Sequence, residues 1–174
     1  MRAPQWLIAV LILVPLRPLA AQSADPAFSL SISAKPEIAA PGEELILSIV
    51  LTNKTPQQIF FQTDRYHPET NYTIHVTDPS GEAAGKTRAY RMATGDRTGK
   101  DAAAPPADPT RTIISIGSVG ISGVAPGKTL EERTALNGLF DLTRPGRYTI
   151  HVEKKDDTSK AVVKSNVVTV RIGN

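Results

Sequence analysis

The chain has 174 residues, 40% of them hydrophobic and 21% charged, a formal net charge of +3 and no cysteine. That length holds one domain with a real core rather than two comfortable ones. Without cysteine there are no disulfides and no thiolate chemistry, and a charge this small with no dense Lys/Arg cluster argues against nucleic acid, which demands several phosphate contacts at once.

Met1-Arg2-Ala3-Pro4-Gln5 carries one positive side chain and leads into an apolar run from Trp6 to Val14 that Pro15 and Arg17 break. A basic start, an apolar run and then the small residues of Leu19-Ala20-Ala21-Gln22-Ser23 follow the order of a secretory signal, with cleavage preferred after Ala21. The run is too short for the roughly 20 residues of a spanning helix, and a lipid anchor needs a cysteine. Residues 1–21 are therefore expected to be a signal peptide, 22–26 a short N-terminal segment and 27–174 the folded domain. The mature chain is expected to be secreted or periplasmic, without stable membrane insertion. Removing residues 1–21 takes away Arg2, Arg17 and Trp6, the only tryptophan, and lowers the net charge to +1.

Phe28-Ser29-Leu30-Ser31-Ile32-Ser33-Ala34 alternates apolar and polar residues, the period of a strand with one buried face. Pro41-Gly42 turns the chain into a second strand ending at Asn53, in which Leu45, Leu47, Ile49 and Leu51 share a face; Ile46 and Val50 make the other face partly apolar, as in a central strand. Two more strands follow over 58–63, with Ile59 and Phe61 on one face, and over 71–77, with Tyr72, Ile74 and Val76; Asp78-Pro79-Ser80-Gly81 ends the latter in a turn. Residues 82–110 are mostly Ala, Gly, Thr, Pro, Arg and Asp, with only Tyr90 and Met92 to bury, and read as one long loop.

Strand character returns over 113–121, and Pro126-Gly127 leads into 128–136, where Leu130-Glu131-Glu132-Arg133 also fits a helical turn but the flanking turns favour a strand. Pro145-Gly146 opens Arg147-Tyr148-Thr149-Ile150-His151-Val152, and 161–172 closes the chain, with a β-bulge near Ser165-Asn166 needed to turn Val163 inward. Tyr72-Thr73-Ile74-His75-Val76 and Tyr148-Thr149-Ile150-His151-Val152 are the same pentapeptide in different surroundings, which reads as convergence on one strand pattern. This punctuation predicts an all-β, antiparallel immunoglobulin-like β-sandwich of about seven to nine strands with one long inserted loop.

Ala40-Pro41-Gly42-Glu43 before a strand ending Leu51-Thr52-Asn53, then Ala125-Pro126-Gly127-Lys128-Thr129, then Phe140 through Tyr148 resemble bacterial extracellular immunoglobulin-like domains. Their order is loosely similar to that of the bacterial intracellular proteinase inhibitor family, from which the signal-like start and the 82–110 insertion depart. The resemblance implies a Gly turn at Gly146 followed by an inward Tyr148 whose hydroxyl ties the corner to the backbone, with Leu142 a structural residue of the same stretch, and it brings proteinase inhibition in as an alternative function.

No catalytic grouping emerges. Gly81 to Thr87 and Gly123 to Thr129 both end Gly-Lys-Thr but are one residue short of a phosphate loop, and neither is expected to lie between a strand and a helix. Gly120-Ile121-Ser122-Gly123 lacks the spacing of a nucleophile elbow. His75 and His151 are expected to face outward with Thr73 and Thr149. Two histidines without cysteine or a nearby carboxylate make a weak metal site, and Asp64, His67 and Glu69 in one loop are no better, so no metal or other cofactor is expected. Asn53-Lys54-Thr55 and Asn71-Tyr72-Thr73 match the glycosylation pattern by chance. The expectation is a non-enzymatic domain that contacts a protein partner through loops or a sheet edge, with a metal-binding or hydrolytic protein as an alternative weaker than proteinase inhibition. Asp64, Arg65, Tyr66, His67 and Glu69 from one loop, with Arg88, Tyr90, Arg91 and Arg97 from the other, are the candidate contact residues.

Overall fold

A computed structural model describes residues 25–64, 68–96 and 119–173. Among the described residues the protein is all-β apart from one short α-helix and two 3-10 turns. One sheet contains β1 (Phe28–Lys35), β3 (Ile46–Asn53) and β7 (Thr129–Ala135) in the order β1-β3-β7. A second contains β2 (Ile38–Ala39), β5 (Thr73–Thr77), β8 (Gly146–Lys155) and β10 (Val168–Ile172) in the order β2-β10-β8-β5, with β9 (Val162–Lys164) also on β8. β4 (Ile59–Asp64) and β6 (Val119–Val124) form a separate two-stranded ribbon. Ten strands lie among the described residues, and two of them, β2 and β9, of two and three residues, are too short to leave a periodic signal.

β3 is central, as its two-sided apolar pattern requires: Phe28 to Lys35 pair with Asn53 to Ile46 on one side, and Ala135 to Thr129 pair with Ile46 to Thr52 on the other. Leu47, Ile49 and Leu51 from this sheet meet Tyr148, Ile150, Val152 and Val170 from the second in one buried core. Each such side chain contributes about 1.5–3 kcal/mol on burial, so packing replaces the disulfides that the chain lacks. The outer edge of β1 is closed by side chains. Asn166 accepts from the Ile32 N–H (2.8 Å) and donates to the Ile32 carbonyl (3.0 Å), and Asp156 accepts from the Ala27 N–H (2.9 Å).

The bulge required by the sequence is present. Glu153 faces Lys164 while Ile150 faces Val168, so two residues of β8 oppose three of the returning chain. The Ser165 N–H donates to the Val152 carbonyl (2.9 Å) and its hydroxyl accepts from the Val152 N–H (2.9 Å), and Val163 turns inward. At the start of β8, Tyr148 is buried and its hydroxyl donates to the Arg144 carbonyl at 2.9 Å; Leu142 is buried beside that corner. Gly146 has φ +139°, and a Cβ there would lie 2.7 Å from the Pro79 ring, so the corner admits only glycine.

The single long loop is corrected by the structure. Ala83 bridges to Thr77, Lys86 bridges to Phe140, and α1 (Arg88–Ala93) follows. Thr87 caps α1 by accepting from the Tyr90 N–H (3.2 Å) and donates its own hydroxyl to the Gly138 carbonyl (2.7 Å). Tyr90 is buried edge-on against Phe140 at 5.3 Å, and burial of that aromatic is what orders the segment. Residues 97–110 and the first part of the expected strand over 113–121 lie outside the described residues. Leu130-Glu131-Glu132-Arg133 is strand, in β7.

Candidate functional site

Two surfaces stand out from the solvated remainder, one on each kind of strand pairing. The first is the outer face of β5 and β8. The two identical pentapeptides run antiparallel, with Ile74 opposite Val152, Val76 opposite Ile150 and His75 opposite His151. Tyr, Ile and Val of each point into the core, so strand alternation turns both histidines outward. Their rings stack at 4.5 Å between centroids and 5° between planes.

Glu153, two residues along β8 on the same face, reaches both rings: Oε2 lies 3.6 Å from His75 Nε2 and Oε1 lies 3.6 Å from His151 Nε2. Lys164 on β9 holds Oε1 at 2.7 Å. That Lys164 hydrogen bond, opposed by desolvation and aided by the charges of Lys164, His75 and His151, keeps the Glu153 carboxyl below its ordinary pKa. Among the described residues, His75, His151 and Glu153 are the one group whose donor atoms all lie within 4.8 Å of one another.

The second surface is the β4–β6 ribbon. Alternation turns Ile59 and Phe61 inward, with Phe61 edge-on to Phe28 at 5.3 Å, and leaves Phe60 66% and Ile121 73% exposed. Phe60 faces Gly123 and Gln62 faces Ile121, so Phe60 and Ile121 are diagonal neighbours on the outer side. A cleft of about 580 Å³ beside β4 is bounded by 55–61, by the start of β1 and by the turn 156–158.

The ribbon is held by asparagines. Asn53 is only 1% exposed and donates to the Val124 (2.8 Å) and Gln57 (2.7 Å) carbonyls, while its oxygen accepts from the Thr55 N–H and hydroxyl. Asn71 accepts from the Asp64 N–H (2.8 Å) and donates to Glu132 Oε1 (3.1 Å). Both glycosylation-like patterns are thus structural clamps. Lys154 donates to the Asn71 carbonyl at 2.8 Å and lies over the Tyr72 ring at 4.9 Å and the Phe61 ring at 5.5 Å. Burial pushes this ammonium below its ordinary pKa against the pull of Glu132 and Asp157, and burial, then the Glu132 carboxylate, pushes the Tyr72 phenol up. The cluster is occupied in bracing the ribbon against β8.

The residues expected to make contacts are distributed unevenly. Asp64 ends β4, and Glu69 lies in the 3-10 turn Pro68–Asn71 that packs beside it. Arg88 is exposed on α1, whereas the Arg91 guanidinium donates to the Lys86 carbonyl. Tyr90 belongs to the core rather than to a loop surface, because its ring is the apolar anchor of α1. Arg65, Tyr66, His67 and Arg97 lie outside the described residues.

The Gly81 to Thr87 segment does lie between a strand and a helix, contrary to expectation. However, Lys86 is paired with Asp96 at 2.8 Å, and α1 is only six residues long. Ser122 lies in β6 with its hydroxyl 3.0 Å from that of Thr63, so it is no elbow nucleophile. The sequence reading missed Glu153 and the two clamping asparagines. The recurrence of the histidine pentapeptide was the signal for the first.

No protein-family model and no curated protein matches the sequence. Among solved structures, the beta-glucosidase from Listeria innocua aligns at 14% identity over 86% of this chain. The TM-score is 0.40 in its complex with isofagomine and 0.39 in its complex with glucose. This chain spans 16% of the length of that enzyme, and a likeness this weak bears on neither the fold family nor the function of the protein.

Proposed function

We propose that the chain is an exported, non-enzymatic binding protein, an immunoglobulin-like β-sandwich that holds an extended segment of a partner polypeptide against its β4–β6 ribbon. The sandwich reading is supported by two sheets sharing one core, by β1 continuing as β2 into the opposite sheet, and by the Tyr148 corner. Export is supported by the signal-like residues 1–21.

The observation that carries the binding role is the ribbon. Each of its strands has one strand partner among the described residues, and Phe60 and Ile121 lie side by side on its open face. Leaving two such side chains in water forgoes about 1.5–3 kcal/mol each, which a partner recovers on covering them. Strand edges with free N–H and C=O groups beside apolar pockets are what an added strand uses: main-chain hydrogen bonds supply affinity and alternate side chains supply specificity. The cleft of about 580 Å³ beside β4 has Pro56, Phe60 and Phe61 among its lining. The first of the two candidate contact loops begins at Asp64, which pairs with Val119 at one end of the ribbon.

The test is photo-crosslinking in the producing cell. A photoreactive phenylalanine analogue at Phe60 should give one discrete polypeptide adduct, and the same analogue at the exposed Arg171, on β10, should give none. Equal adducts at both positions, or none at Phe60, would sink the binding role. A protease adduct accompanied by dose-dependent inhibition of that protease would identify the partner's class. Export is tested separately by cell fractionation: the mature chain should begin at Gln22 outside the cytoplasm, and an intact chain retained inside refutes it.

A further inference from the structure

We infer that His75, His151 and Glu153 form a binding site for a divalent late first-row transition ion, zinc or copper(II), on the outer face of the second sheet. This site lies on a different sheet from the ribbon and does not rest on the proposed partner binding. The sequence alone weighed against a metal for want of a carboxylate and of evidence that the two histidines meet. The structure supplies both: His75 and His151 are direct cross-strand partners, and Glu153 addresses both Nε2 atoms at 3.6 Å.

The distances suit a first-row ion. Metal–nitrogen and metal–oxygen bonds of ~2.0–2.1 Å at a tetrahedral angle place ligand atoms about 3.3–3.4 Å apart, so the 3.6 Å between Glu153 Oε2 and His75 Nε2 needs to close by about 0.2–0.3 Å, while His151 Nε2, whose 3.6 Å contact is with Oε1, swings toward the same point from within 4.8 Å. The rings, stacked with parallel planes, have to turn about their side-chain torsions to aim both Nε2 lone pairs at one ion, while the β5–β8 ladder holds their Cα atoms in place. Two imidazoles with one carboxylate favour zinc and copper(II) over calcium or magnesium, which prefer all-oxygen shells.

Lys164 is the orienting neighbour. By holding Oε1 at 2.7 Å it fixes the carboxylate plane and leaves Oε2, on the His75 side, as the ligand atom. The side chains of His75, His151 and Glu153 are 43, 35 and 20% exposed, so an ion enters directly from solvent. Three protein ligands leave at least one position for water or for a side chain of another molecule.

The test uses the purified, chelator-treated protein titrated with zinc and with copper(II) by calorimetry. The expected result is one saturable ion per chain, with affinity at least tenfold weaker in His75→Ala and in His151→Ala and reduced to a lesser degree in Glu153→Gln. Zinc should raise the melting temperature of the unaltered protein and leave that of the H75A/H151A double variant unchanged. Imidazole NMR on the unaltered chain keeps the test decisive even if a variant is unstable: resonances of His75 and His151 should shift together on zinc addition. Absence of saturable binding, undiminished affinity in the double variant, or shifts confined to His67 would each overturn the site.

Discussion

The β5–β8 ladder and the β4–β6 ribbon are both antiparallel strand pairs with one face toward the protein and one toward water, yet they spend their outer faces differently. The ladder shows water threonine, histidine, glutamate and lysine, while its inner face supplies Ile150 and Val152 to the centre of the core. The ribbon shows water Phe60 and Ile121 and contributes mainly a partly buried rim through Ile59 and Phe61. Equal strand pairing therefore does not mean equal roles: the ladder buries its apolar side chains at the centre of the core, whereas the ribbon leaves apolar side chains on its outer face in water.

That contrast can be broken by mutation. The largest effect is expected at Ile150, which is fully buried in the ladder: Ile150→Ala should cost about 2–5 kcal/mol in urea unfolding. A loss under 1 kcal/mol would show that the ladder is not the centre of stability. Next comes Asn53→Ala, which strands the Val124 and Gln57 carbonyls and should cost about 1–3 kcal/mol. In hydrogen exchange its effect should be greatest in β4 and β6; uniform loss of protection would mean that the ribbon is not separately clamped.

The Asp156 carboxylate sharpens the comparison through pH. Burial raises its pKa, but hydrogen bonds from the Ala27 N–H, the Ser159 hydroxyl and the Thr158 and Ser159 N–H groups together prevail and hold it below the ordinary value. Its contribution is thus complete above the unfolded pKa of about 3.9 and is lost as pH falls below that and through the folded pKa. Asp156→Asn should flatten the acid limb of a stability–pH curve, and an unchanged slope would remove Asp156 from the account. The smallest effect is expected at the ribbon face, where Phe60→Ser and Ile121→Ser should leave stability within about 0.5 kcal/mol. A larger loss would make these side chains part of the fold instead of a surface for a partner.

What could be read from the sequence was whatever is local in the chain. Alternation located β1, β3, β5, β8 and β10, and parity alone demanded the bulge before Val168. The helix α1 escaped because six residues carry too little periodicity, although Thr87 before Arg88, Ala89 and Met92 offered a cap and good helix formers. The histidine pair was weighed and set aside for a different reason: pairing between strands more than 70 residues apart is set by the whole topology, which no window of sequence contains. Asn53 and Asn71 matched a modification pattern by chance, and their clamping role went unread because a three-residue pattern says nothing about whether the amide is already committed to hydrogen bonds.

The burial of Asn53 has a practical bearing on production. A glycosylating secretory pathway meets Asn53-Lys54-Thr55 while the chain is still unfolded and the amide is open to modification. A sugar attached there would occupy the nitrogen that must clasp Val124 and Gln57 in a position with no space for it. Such a chain would be withheld from its native state before it reached the cell surface, so a bacterial host is the natural choice for making this protein.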